Sequence, residues 1–158
     1  MSVFEKEKIA IEHARSWFQI HAEHRLRLVN FYIVLVVASL AFAASALKDG
    51  QTIAMSMLGA LIIIVSFVFQ NLDRRVASLI KDAEKALTVL EKKISSDLEI
   101  TDLNLVKLAD DKRGAYSYRQ LFNILYYSGY ALGTCIFLYT MLFRIPGIHQ
   151  SFIKCWLG

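Results

Sequence analysis

Three stretches without a charged residue interrupt an otherwise polar chain: 28–47 (LVNFYIVLVVASLAFAASAL), 51–72, which contains MLGALIIIVSFVF, and 120–143, which contains LFNILYYSGYALGTCIFLYTMLF. At ~1.5 Å per residue, about 20 helical residues cross the ~30 Å hydrocarbon core of a bilayer, so each stretch predicts a membrane-spanning helix. Lys48, Asp49 and Gly50 alone separate the first two. So short a connection makes the helices antiparallel, and Asp-Gly supplies the turn chemistry, which predicts a transmembrane hairpin. The third stretch is richer in Tyr and Gly, but 24 residues without charge exceed what a buried helix of a soluble bundle needs.

The polar stretches also read as helix. Ser2-Val3-Phe4-Glu5 fits a capping box, and nothing breaks the pattern before Leu47, so one helix of roughly 65 Å runs from near residue 3 through the first span. After the second span, Val76, Ile80, Ala83, Leu87, Leu90 and Ile94 follow in steps of 4, 3, 4, 3 and 4, an a/d seam that asks for a partner helix in this chain or a neighbouring subunit. Ser95-Ser96-Asp97 reads as a break, and 98–111 as irregular or a short strand and helix. Gly114 precedes the third span, and the tail turns at Pro146-Gly147 and carries Phe152 and Trp156, which suit a membrane interface. The organisation is therefore an amphipathic helix at 1–27 continuous with the first span, a hairpin at 28–72, a helical segment at 73–119, a third span at 120–143 and a tail at 144–158. The fold class is an all-α integral membrane protein with three transmembrane helices and a helical cytoplasmic portion.

Charge orients the spans. With the N-terminus cytoplasmic, fifteen of the 18 Lys and Arg lie inside and only Lys48, Arg144 and Lys154 outside, as the positive-inside rule prefers. Two spans satisfy that rule equally well, and the length of the third stretch decides for three. The first apolar block begins after a long charged segment, unlike a secretory signal. Basic collars, Arg25/Arg27, Arg74/Arg75 and Lys112/Arg113/Arg119, stand at the cytoplasmic helix ends, within reach of anionic headgroups. Lipid thus accounts for the +4 net charge before nucleic acid does, and nucleic acid is not expected as a direct ligand. Cys135 and Cys155 have neither metal nor redox spacing.

Small residues mark possible helix contacts where no hydrophobic drive operates: Ala38, Ala41 and Ser45 on the first span, Ser56, Gly59 and Ala60 on the second, Gly129 and Gly133 in a GxxxG on the third. Together with the seam at Val76, Ile80, Leu87 and Leu90, they suggest close packing and self-association. Asn30, Gln70, Asn71 and Asn123 fall at the inner ends of the spans, where amides prefer protein or water to lipid and could line a vestibule. His13, Trp17, His21 and His24 share a stripe that could sense pH or simply pack; no Cys or carboxylate completes a metal site.

Arg15 and His21 match R-x5-H, which resembles the ribonuclease motif of HEPN domains. Six helical steps of ~100° leave their side chains about 240° apart, so one regular helix does not converge them. No Walker loop, HExxH, GxSxG or dinucleotide glycine pattern occurs, and no charge lies mid-span, which disfavours proton-coupled transport. The chain reads as a non-enzyme without cofactor or metal.

ARSWFQIHAEHRLRLVNFYIVL and FVFQNLDRRVASLIKDAEKALTVLE resemble small bacterial membrane proteins: an aromatic-x-x-His, a basic Arg-Leu and Asn-Phe-aromatic lead into the first span, and Leu-Asp-x-Arg leaves the second. The pattern is similar to RipA-type octameric membrane proteins and to the ring-forming membrane accessory protein of type VI-B CRISPR systems. The resemblance implies a homo-oligomeric ring in the bacterial inner membrane that compromises the membrane in antiviral defence or stress. Arg15 and His21 carry over onto the R-x-H element. Membrane lipids, further copies of the chain and a soluble defence partner are the partners it implies. A membrane-tethered ribonuclease and a passive membrane adaptor, binding through 73–118, are the alternatives.

Overall fold

A computed structural model describes residues 3–99, 105–106 and 118–144, and all the regular structure in them is helical. α1 spans Val3–Lys48, α2 spans Thr52–Leu98 and α3 spans Tyr118–Tyr139, which passes into a π-helical turn at Thr140–Arg144. Among the described residues, three helices are long and apolar enough to cross a membrane. The chain divides into two compact units: a hairpin unit, Met1–Leu28 with Leu72–Leu121, and an apolar unit, Val29–Asn71 with Phe122–Gly158.

α1 runs its 46 residues without interruption, as the absence of Pro and Gly predicts. Its end is a Schellman motif. The Gln51 amide donates to the Ala46 carbonyl at 2.8 Å and the Gly50 amide to that of Leu47 at 3.3 Å. Gly50 stands at φ +70, the left-handed position that this cap requires. α2 then continues for 47 residues from the second apolar stretch through the seam. The break expected at Ser95-Ser96-Asp97 is absent: the helix carries through to Leu98 and ends where Glu99 turns left-handed at φ 54. Small polar residues favour helix ends, but the seam's last apolar residue, Ile94, is half-buried, and that contact outweighs their weak local preference. Ser2, Lys112, Arg113, Gly114, Cys155 and the tail lie outside the described residues, and of 98–111 only Leu98, Glu99, Leu105 and Val106 fall within them.

In the hairpin unit, α1 and α2 run antiparallel. Val76, Ile80, Ala83, Leu87, Leu90 and Ile94 are all buried or half-buried. So are Ile11, Ala14, Phe18, His21 and Arg25 of α1, spaced in the same alternation of three and four. The partner of the seam is therefore the first helix of the same chain.

In the apolar unit, parts of α1, α2 and α3 pack together. No more than 28% of any of the three apolar windows is buried by the chain itself. Phe31, Phe42, Ile53, Ile64, Phe67 and Ile124 are all exposed. Water is a poor solvent for surfaces of this extent, which suit hydrocarbon or a neighbouring helix.

Candidate functional site

Two constellations gather the polar side chains. The first is inside the apolar unit. Tyr32 is 1% exposed and Tyr126 and Ser66 are fully buried. The Tyr32 hydroxyl lies 3.0 Å from Ser66 Oγ and 3.4 Å from the Leu125 carbonyl, while Ser66 Oγ also lies 2.8 Å from the Ile62 carbonyl of its own helix. The Tyr32 ring meets Tyr126 edge-on, with centroids 4.9 Å apart. Nearby, the Tyr130 hydroxyl donates to Gln70 Oε1 at 3.2 Å. Gln70 Nε2 is buried and has no acceptor among the described residues. These hydroxyl contacts link α1, α2 and α3 within the apolar unit.

Glycine makes this arrangement possible. A Cβ on Gly129 would fall on the Tyr32 hydroxyl and 2.5 Å from Ser66 Oγ. A Cβ on Gly133 would stand 2.8 Å from the Gly59 carbonyl, and one on Gly59 3.0 Å from that of Gly133. α2 and α3 therefore touch backbone to backbone. Gly59, Gly129 and Gly133 are committed to packing within the chain, and Ser56 is buried as well. Ala38, Ala41 and Ser45 are exposed instead. The small residues that α1 buries are Ser39, Ala43 and Ala46, one or two positions further along.

The expected vestibule amides differ in burial. Asn30 and Asn71 are exposed, the latter donating from Nδ2 to the Phe67 carbonyl of its own helix at 2.8 Å. Asn123 is half-buried, and Gln70 is enclosed.

The second constellation belongs to the hairpin unit. Arg25 donates from Nε to Asp73 Oδ1 at 2.7 Å and from Nη2 to Oδ2 at 3.0 Å. The two side chains are only 13% and 5% exposed. Arg25, expected at the headgroups, is thus held by Asp73, whereas Arg27, Arg74, Arg75 and Arg119 stay exposed. At the far end of the pair of helices, Lys93 meets Glu7 at 2.6 Å, and the Glu7 carboxylate holds the Lys93 ammonium pKa above the ordinary lysine range. A groove of about 370 Å³ opens beside this pair, bordered by Ile11, Arg15, Ile94 and Asp97 among others.

Arg15 lines that groove, and His21 lies six residues further along an unbroken helix, so no kink brings the two together. His21 instead donates from Nδ1 to the Trp17 carbonyl at 2.8 Å and stacks on the Trp17 ring at 4.5 Å. His13 lies tilted against Trp17, 6.3 Å away. Among the described residues no group of His, Cys, Asp and Glu could hold a metal ion.

Sequence reasoning missed Asp73, Tyr32, Ser66 and Tyr126. The signal for Asp73 was available: it lies three residues before Val76, on the extension of the seam, where a lone carboxylate demands a cation. Nothing comparable marks Tyr32 among the other aromatics of its span.

No protein-family profile matches the chain, and no solved structure matches it. The chain is 37% identical over 90 residues to CD-NTase-associated protein 19 of Escherichia coli, a match covering 56% of this chain and 60% of that protein.

Proposed function

We propose that this chain is a homo-oligomeric protein of the bacterial inner membrane that perturbs the membrane as part of an antiviral defence system working beside a CD-NTase. The observation that carries the reading is the likeness over 90 residues to a protein named for association with a CD-NTase, in a chain with three helices able to span a bilayer. Its helices carry apolar surface that the fold leaves uncovered. Such surface is covered by lipid or by further copies, and copies arranged in a ring can enclose what one hairpin and a third span cannot.

The test is expression in the host with and without the cognate CD-NTase during phage challenge, reading entry of a membrane-impermeant dye. Dye uptake that depends on both proteins is the expected result. An intact membrane under those conditions, with the purified chain also inert on dye-loaded liposomes, removes the reading.

The groove of the hairpin unit favours a second reading, an adaptor that tethers a soluble partner. Glu12→Lys with Arg15→Glu would then abolish capture of that partner while leaving membrane insertion intact.

A further inference from the structure

We infer that the hairpin unit of one copy docks sideways on that of the next, with the outer edge of α2 against the outer edge of α1. This rests on the reading of the chain as a membrane oligomer. Facing away from the buried seam, α2 carries Arg74, Ser78, Lys81, Lys85, Thr88 and Lys92 in steps of 4, 3, 4, 3 and 4, all exposed. Facing away on the other side, α1 carries Glu5, Ile9, Glu12, Ser16, Gln19 and Glu23 in the same steps, also all exposed. The first edge holds cations and hydroxyls without an acid; the second holds acids and neutral residues without a cation. Lys6, Lys8, Arg15 and Arg27 flank the acidic edge, and Asp82 and Glu84 the basic one.

The register of the hairpin matches the two edges level by level. Arg25 meets Asp73 and Glu7 meets Lys93, which sets which residues of α1 and α2 stand at one height. By that register Glu23 lies level with Arg74, Glu12 with Lys85 and Glu5 with Lys92, each within about one 5.4 Å turn. Within one hairpin these partners point in opposite directions and cannot meet. Two copies set side by side with their hairpin axes parallel and in register hold them at the same height, so the edges meet charge to charge. Unlike edges mating give a head-to-tail contact, the kind that closes into a ring.

From Arg74 to Lys92 the basic edge is about 27 Å long at the helical rise. Pairs already made on these edges, such as Glu23 with Arg27 at 3.5 Å and Lys85 with Asp82 at 3.6 Å, have strongly exposed side chains and little to lose by exchanging partners.

Charge reversal tests the contact in the full chain, purified in detergent and weighed by native mass spectrometry. Glu5→Lys/Glu12→Lys/Glu23→Lys and, separately, Lys81→Glu/Lys85→Glu/Lys92→Glu should each weaken self-association about tenfold or more. Combining both sets in one chain, or co-expressing the two variants, should restore it, since complementary edges face each other again. Restoration also shows that the variants fold. A monomeric wild type, assembly indifferent to either reversal, or loss that neither combination restores overturns the proposal. Loss confined to the lysine variant, with weakened binding to anionic but not zwitterionic vesicles, assigns the basic edge to lipid and overturns it too. Oligomers that assemble as predicted yet release no dye would sink the proposed function while leaving this contact standing.

Discussion

The Arg25 guanidinium grips both carboxylate oxygens of Asp73 from 48 positions away in the chain, and the pair is almost closed off from solvent. A buried ion pair adds little net stability, because desolvation offsets the attraction, but removing one partner strands the other. It therefore acts on register. Sliding α1 against α2 by one heptad would bury Asp73 without a cation.

Asp73→Ala should accordingly cost about 3–5 kcal/mol in thermal or denaturant unfolding of the detergent-solubilised chain. Arg25→Met/Asp73→Leu should recover most of that loss. A single variant as stable as wild type would mean that the pair is solvated in solution.

Gly129→Ala should destabilise the apolar unit by about 1–3 kcal/mol, because the added methyl lands on the Tyr32 hydroxyl and against Ser66. Adding Tyr32→Phe removes the oxygen that obstructs it and should restore part of the loss. The melting temperatures of the single and double variants check both statements.

Gln70→Leu combined with Tyr130→Phe should be neutral or mildly stabilising, since it removes the buried Nε2 group, which has no acceptor among the described residues, together with the hydroxyl that Oε1 accepts. A loss of about 1–3 kcal/mol would instead reveal an ordered water or another partner at Nε2.

The Glu7–Lys93 pair makes a pH prediction at the free end of the hairpin. Lys93 binds its proton more tightly folded than unfolded. Its contribution is complete below the unfolded lysine pKa and disappears as pH climbs through the higher folded value. Hydrogen exchange near residues 90–97 should therefore be faster in Lys93→Met than in wild type at neutral pH, and the difference should close in strong alkali. A difference that persisted there would rule out the ammonium as its source.

Orientation is open to a direct measurement. In a Cys135→Ser/Cys155→Ser background, Gly50→Cys should react with a membrane-impermeant maleimide from outside intact spheroplasts. Lys85→Cys should react only after lysis. The opposite pattern inverts the topology.

The helices themselves were legible in the residues. Long uncharged stretches, few breakers and an Asp-Gly turn are local properties, and α1, α2 and α3 follow them closely. The limits of local reading show at Ser95-Ser96-Asp97, where weak preferences for a helix end gave way to the packing of Ile94. The seam could be seen, but its partner could not: a heptad pattern states which face is apolar and leaves open which helix covers it.

Span contacts were harder still. In an apolar helix every face is greasy, so periodicity does not tell which small residues of α1 the chain buries: these are Ser39, Ala43 and Ala46, while Ala38, Ala41 and Ser45 stay exposed in the single chain. Only the packed structure decides that Tyr32 reaches Ser66 over Gly129, that Gly59 faces Gly133, and that Asp73 holds Arg25. Those choices depend on atoms far apart in sequence meeting within a few ångströms, whereas the residues alone determine helix, span length and the sign of each exposed edge.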